Sequence, residues 1–211
     1  MSIALAVPDT SGRILDIAER LVQMRGFNGF SYADIAVELR ITKASLHYHF
    51  STKTRLGERL VERYQVNFLA VLANIDKTDG GVRSKLDAYV AIYADVLKDG
   101  RMCLCGMLAA DYTTLPESIK IRVRKFFDAN EAWLTGLLSR GRVDKQLTFA
   151  GPPVESARFL VSALEGAMLL ARSYEDPDRF TSFAARLLDV ISVGTQSTAT
   201  RSIQRRLRRQ L

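Results

Sequence analysis

The chain has 211 residues, enough for one large domain or two small ones with a sizeable core. Apolar residues make up 47% and charged residues 25%, the balance of a soluble globular protein, which excludes disordered, collagen-like and disulfide-scaffold classes. The net charge of +7 invites a polyanionic partner, yet residues 201 to 211 hold five arginines and no acid, so only +2 remains without them and bulk charge argues weakly for nucleic acid.

The opening stretch Ile3 to Val7 is apolar but short and lacks a basic leader, so it is not read as an export signal and the chain is expected to be cytoplasmic. Ile14, Ile17, Ala18, Leu21 and Val22 recur at helical spacing, and Gly26 suits the terminating cap of a first helix. Ser31 can cap a second helix, with Asp34 three residues on at the positive end of the dipole and Ile35, Ala36 and Leu39 facing inward. Arg40-Ile41 is a tight connection. A third short helix runs from Thr42 to about Tyr48, and Ser51 or Thr52 caps a fourth that extends through Leu56, Leu60, Val61, Tyr64, Phe68, Leu69 and Leu72.

Beyond the polar break from Asp76 to Gly81, helices are expected near 82–98, 102–112, 117–140, 154–173 and 177–193, with Pro116-Glu117 and Asp176-Pro177 as starts and Gly141 to Pro153 as a loop. The longest apolar run, Met102 to Ala110, has nine residues, about half of the ~18 a membrane span requires, so no membrane association is expected. No stretch alternates strictly enough to require a strand. The fold class is therefore all-α, with about nine helices.

Three short helices in the first fifty residues, the second and third joined by a very short turn, make a helix-turn-helix. Two helices brace the third, leaving it free to lie in a DNA major groove. Leu46 and Phe50 would face inward, while Thr42, Lys43, Ala44, Ser45, His47, Tyr48 and His49 are the exposed candidates. Their hydroxyls, amine and imidazoles can bond phosphate oxygens and base edges alike.

The runs Arg13-Ile-Leu-Asp-Ile-Ala18, Arg25-Gly-Phe-Asn-Gly-Phe-Ser31, Asp34-Ile-Ala36 and Ile41-Thr-Lys-Ala-Ser-Leu-His-Tyr-His-Phe50, with Lys53 and Leu56, resemble the amino-terminal domain of TetR-family transcriptional regulators over about residues 12 to 60. The remainder resembles the family in length, helical content and the Gly141-Arg-Val-Asp-Lys-Gln-Leu147 loop. The resemblance implies a homodimer formed by the last two long helices, with an inducer pocket enclosed by the middle ones. It implies a DNA-binding domain over 1–55, a ligand-binding and dimerisation domain over 56–195 and a basic tail over 196–211.

Carried over by position, Lys43, Ala44 and His47 approach base edges, and Ser31, Tyr32, Ser45, Tyr48, His49 and Lys53 hold the backbone. Arg40 stands where the family often has a turn glycine, so either the turn does not need positive φ or it is strained. Ala44 replaces a frequent glycine, which should only stiffen the helix. His47 replaces a usual tyrosine, so operator preference cannot be borrowed from relatives.

Other residues carry two readings each. His47 and His49 are two apart on one helix, with no Cys or carboxylate nearby, which argues against a metal; no metal or other cofactor is expected. Cys103 and Cys105 are expected to be reduced; they are small core residues or, with a thiolate favoured by the helix start and Arg101, an oxidant or electrophile sensor. Tyr93, Met107, Tyr112 and Trp133 lie among aromatic and sulfur side chains that serve as core or line a ligand site, the tyrosines and Trp133 adding polar tips.

Ser162, Ala163, Gly166, Ala167 and Leu170 put small residues on one helix at spacing suited to close helix approach. With the 177–193 helix they form a dimer contact or an internal core. The basic tail is a solvated terminus, an extra phosphate contact or a docking segment. The functional expectation is a non-enzymatic, ligand-responsive DNA-binding regulator, a repressor released from a palindromic operator by a small-molecule inducer. The alternative is a helical small-molecule-binding or thiol-sensing protein in which DNA binding is secondary or lost.

Overall fold

The computed structural model describes residues 9–192; the stretch Ile3–Val7, Val193 and the arginine-bearing segment 196–211 lie outside the described residues. Among the described residues the fold is all-α: α1 (Thr10–Arg25), α2 (Tyr32–Leu39), α3 (Lys43–His49), α4 (Lys53–Lys77), α5 (Val82–Lys98), α6 (Leu104–Ala110), α7 (Glu117–Val143), α8 (Pro153–Ser173) and α9 (Pro177–Ile191). A 3-10 turn, Tyr112–Thr114, follows α6, so the segment expected as one helix over 102–112 divides at Asp111. Leu147 and Ser192 make an isolated antiparallel bridge. No helix of the described residues is long and apolar enough to cross a membrane.

The helix starts follow local chemistry. Asp9 accepts the Gly12 N–H at 2.8 Å, Thr42 Oγ1 the Ser45 N–H at 3.1 Å, and Thr52 Oγ1 the Arg55 N–H at 3.1 Å, each satisfying a donor that the first turn leaves unpaired. Ser31 and Asp34 form a reciprocal capping box on α2: the serine accepts from the Ala33 N–H and its own N–H donates to Asp34 Oδ2 at 2.7 Å. At α9, Asp176 caps and Pro177 supplies a preset first residue.

The α2–α3 connection closes with the Arg40 N–H on Val37 O and the Ile41 N–H on Ala36 O at 3.0 Å, a Schellman turn that forces Arg40 into the left-handed region at φ 56°. Of the two options for that turn, the strained one is realised. A side chain bearing a Cβ is disfavoured there, so Arg40→Gly is expected to stabilise the protein by about 0.5–1 kcal/mol, less than the full left-handed penalty because glycine adds entropy to the unfolded chain. A thermal melt at fixed protein concentration reads this as a rise of about 1–4 °C; an unchanged or lowered midpoint would show the turn to be unstrained.

The chain divides into two compact units, with α4, α5 and α7 each crossing a boundary. The first unit takes the chain to Asn74 together with Tyr93–Asn130. Its centre is an aromatic cluster in which the Phe126 ring lies 5.5 Å from Tyr64, 5.0 Å from Phe68 and 5.4 Å from Phe127. Arg63 ties α4 to α1 through the Gly12 carbonyl, Asp16 at 2.6 Å and Glu19 at 2.9 Å. The second unit takes Ile75–Ile92 and the chain from Glu131 onward, and its core forms where α8 packs on α9 around Leu164, Met168, Phe180 and Leu188.

Candidate functional site

In the first unit α1 packs on α2 and α2 on α3, which makes α3 the outer member of the trio. Leu46 is fully buried and Phe50 closes the inner side, while Thr42, Lys43, Ala44, His47, Tyr48 and His49 are exposed, Tyr48 at 87%, and Ser45 is half-buried. A seven-residue helix therefore shows solvent a continuous flank of donors and acceptors. That flank is the surface a major groove requires.

Neighbouring groups stiffen it. Tyr32, on the first turn of α2, donates its hydroxyl to Phe50 O at 2.8 Å and sets its ring 4.9 Å from the His47 imidazole. Burial pushes the Tyr32 phenol up to about 12, so it remains a donor at any physiological pH. Lys53 turns its ammonium inward onto Phe30 O, 4.2 Å from the Phe30 ring centre and 4.9 Å from that of Phe27. Burial pulls the Lys53 pKa down, and Asp34 and Asp111 oppose the fall. Ser31, Tyr32, Lys43, His47 and Lys53 line one open groove of about 370 Å³; Ala44, Tyr48 and His49 stand outside that lining.

The capping box adds an acid-sensitive element. The Ser31 hydroxyl, then its backbone N–H, hold the Asp34 carboxyl below the usual carboxylate range. A carboxyl lowered on folding adds stability above its unfolded value, near 3.9, and that stability is lost as pH falls through the lowered one. Asp34→Asn is therefore expected to be less stable than the parent at pH 7, with the gap closing below about pH 4. Urea denaturation at both pH values would show a pH-independent gap if the box were not an ionic one.

The loop between α1 and α2, which carries Ser31, is held from the other side by a residue the sequence reading passed over. Asp111, at the end of α6, accepts the Phe27 N–H at 2.7 Å and the Asn28 N–H at 3.4 Å, and Asn28 donates to Thr114 Oγ1 at 2.7 Å. Gly26 makes room for this clamp: its φ is +79°, and a Cβ there would stand 2.7 Å from Asp111 Oδ2. Gln23, also passed over, is buried and accepts from Arg101 at 3.2 Å through its side chain and from the Met102 N–H at 3.2 Å through its carbonyl. A carboxylate ending an apolar helix was the available signal for Asp111; nothing local marked its partner.

The four aromatic and sulfur candidates go to different surroundings. Tyr93 is buried in the first unit and its hydroxyl accepts from Asn130 Nδ2 at 3.0 Å. Asn130 is itself fully buried, and its place in the apolar stripe Ile119, Val123, Phe126, Leu134, Leu137 could have marked it. Met107 is half-buried on α6. Tyr112 is exposed on the 3-10 turn, with Arg124 donating to its hydroxyl. Trp133, in the second unit, stacks on Tyr89 with ring centres 5.5 Å apart and donates to Asp76 Oδ2 at 2.8 Å.

Cys103 and Cys105 are both buried and not bridged by a disulfide; Cys103 lies 3.9 Å from the Tyr64 hydroxyl, and Arg101 turns to Asp99 and Gln23. Among the described residues no three His, Cys, Asp or Glu side chains gather as a metal site. On the second unit, Ser162, Ala163, Gly166, Ala167, Leu170 and Phe183 line an open groove of about 620 Å³ between α8 and α9. Leu170 is 62% exposed there, with Phe159, Leu169 and Val190 also outside the core.

Comparison with known proteins places these features in a family. The model of bacterial regulatory proteins, tetR family, matches residues 14–60, the span of α1 to the first turns of α4. A TetR-family transcriptional regulator from Agrobacterium tumefaciens is 32% identical, superposes with a TM-score of 0.84 and aligns over 87% of this chain and 97% of its own. A TetR transcriptional regulator from Legionella pneumophila is also 32% identical, with a TM-score of 0.78 over 89% of this chain and all of its own. The HTH-type transcriptional repressor NemR of Escherichia coli strain K12 is 28% identical over 177 residues, 79% of this chain and 87% of that protein.

Proposed function

Because the chain belongs to the TetR family of transcriptional regulators, we propose a mechanism in which its α3 helix reads an operator and a small molecule releases it. It is a ligand-responsive DNA-binding transcription regulator, and its partners are operator DNA, a second copy of itself and a small-molecule ligand. The observation that carries the mechanism is the exposed polar flank of α3 over the buried Leu46 and Phe50.

In this reading Lys43, Ala44 and His47 meet base edges, with Thr42 at the helix start. Ser31, Tyr32, Ser45, Tyr48 and His49 fix the backbone. Lys53 contributes chiefly by holding the Phe30 carbonyl and so the position of Ser31. The dimer forms through the α8–α9 groove, where small side chains allow close helix approach and exposed Leu170 and Phe183 supply apolar area. It sets two α3 helices about 34 Å apart, in successive major grooves of a palindromic operator, and so represses transcription.

The inducer contacts Tyr93, Met107 and Tyr112 of the first unit, whereas Trp133, in the second, is engaged by Tyr89 and Asp76. It can shift the protein away from DNA only by its differential affinity for the two states, typically about 1–3 kcal/mol of coupling. No catalytic step is assigned.

Selection of bound sequences from random duplex DNA tests this. The selected sites are expected to be palindromic, with affinity falling steeply as salt rises. Lys43→Ala and His47→Ala are each expected to weaken binding by about 1–3 kcal/mol and to relax preference at one position per half-site. No enrichment of any duplex would overturn the reading.

A further inference from the structure

His47, on the exposed flank of α3, has one ring nitrogen engaged by a carbonyl that the fold supplies. Its Nδ1 lies 3.1 Å from the carbonyl oxygen of Ser51, in the turn that leaves α3. A carbonyl oxygen can only accept, so the nitrogen that meets it must carry the proton. The ring is backed at 4.9 Å by Tyr32, which is anchored through its hydroxyl on Phe50 O, the residue preceding that carbonyl. The imidazole is thus positioned by two consecutive residues of the turn, one directly and one through Tyr32. In the neutral ring, the outward nitrogen Nε2 is left with a lone pair and no hydrogen.

We propose that His47 is a fixed hydrogen-bond acceptor that reads the exocyclic amino group of adenine or cytosine in the major groove, and that it rejects guanine and thymine at that position. This rests on the reading that α3 enters the groove. An Nε2 lone pair finds a donor only in the adenine N6 or cytosine N4 amino group; guanine N7 and O6 and thymine O4 are acceptors, and lone pair would face lone pair. The same restriction removes His47 from backbone duty, because phosphate oxygens accept too. Lys43, Thr42 and Ser45 carry donors and can serve phosphate or base alike. His47 is therefore the member of the flank whose bond goes to a base or to nothing, which makes it a determinant of sequence rather than of affinity at large.

The test uses the full-length protein at pH 8. Sites are selected for the parent and for His47→Ala, and the half-site position at which the two profiles diverge is taken forward. Adenine there is then replaced by purine, or cytosine by 2-pyrimidinone, changes that delete only the amino group. The parent is expected to lose about five- to a hundredfold in affinity on that deletion, while His47→Ala binds both duplexes equally. His47→Lys, which offers donors only, is expected to move the preference at the same position to guanine.

His47 is exposed, so these substitutions leave the packing under α3 intact, and a thermal melt checks that they do. If the parent enriches DNA but His47→Ala gives the same profile at every position, the proposal is overturned while the regulator reading stands. A parental preference for guanine or thymine that His47→Ala relaxes, or indifference to the amino deletion, overturns it as well. No enrichment of any duplex overturns both.

Discussion

Leu46→Ala is expected to abolish sequence-specific DNA binding while α8 and α9 keep their protection from hydrogen exchange. Leu46 is fully buried and is the one buried residue within α3 itself. Removing a buried leucine costs about 2–5 kcal/mol through lost transfer energy and the cavity left behind. Few helices are worse placed to bear that loss. Seven residues are well under the ~12–15 at which a helix is even marginal alone, so α3 persists only through tertiary packing. Amide exchange would therefore accelerate across α3 and the preceding turn, and gel retardation would show no specific complex. Leu46→Met, which conserves volume at a cost of less than about 1.5 kcal/mol, is expected to retain specific binding. Wild-type retardation by Leu46→Ala would show that α3 is held by something other than its inner face.

Phe126→Ala carries the largest expected loss of stability. The ring is buried to 1% exposure on α7 and touches the rings of Tyr64, Phe68 and Phe127, drawing two helices into one cluster. Truncating a buried phenylalanine costs about 3–5 kcal/mol, and aromatic pairs add about 0.5–1.5 kcal/mol beyond area. Against a total stability of about 5–15 kcal/mol that is a large fraction. For a chain of this size it lowers the melting midpoint by about 6–20 °C, measured at fixed concentration because association shifts apparent stability. Phe126→Leu, which keeps most of the apolar volume, is expected to recover the greater part. A drop of less than about 2 °C would mean that the cluster does not hold α4 to α7.

The helix-turn-helix was legible because its signals are local. Ser31 with Asp34, Thr52, and Asp176 with Pro177 each act within one helical turn, and in each case the expected cap forms. Leu46 and Phe50, four apart, could be assigned inward from spacing alone, which left the opposite flank for DNA. The 102–112 helix was less legible: apolar spacing continues through it, but the chain breaks at Asp111, whose carboxylate is engaged by the Phe27 N–H 84 positions away. Asn130 escaped notice for the opposite reason. One polar residue in an apolar stripe reads as an interruption until its buried partner, Tyr93, is seen.

Amino-acid order alone settled the all-helical class, the start and stop of most helices, and which side of α3 faces out, because propensity, capping and periodicity act between residues a turn apart; α7 instead runs on through Gly141, where a loop was expected, to Val143. The folded chain alone decided the left-handed geometry of Arg40, the inward turn of Lys53 onto Phe30, the Asp111 clamp on the loop before Ser31, and the approach of the His47 ring to the Ser51 carbonyl. Those features depend on which carbonyl, ring or carboxylate arrives beside a side chain after the backbone has turned. Sequence spacing carries no record of that arrival, since it is set by the packing of whole helices rather than by any neighbour along the chain.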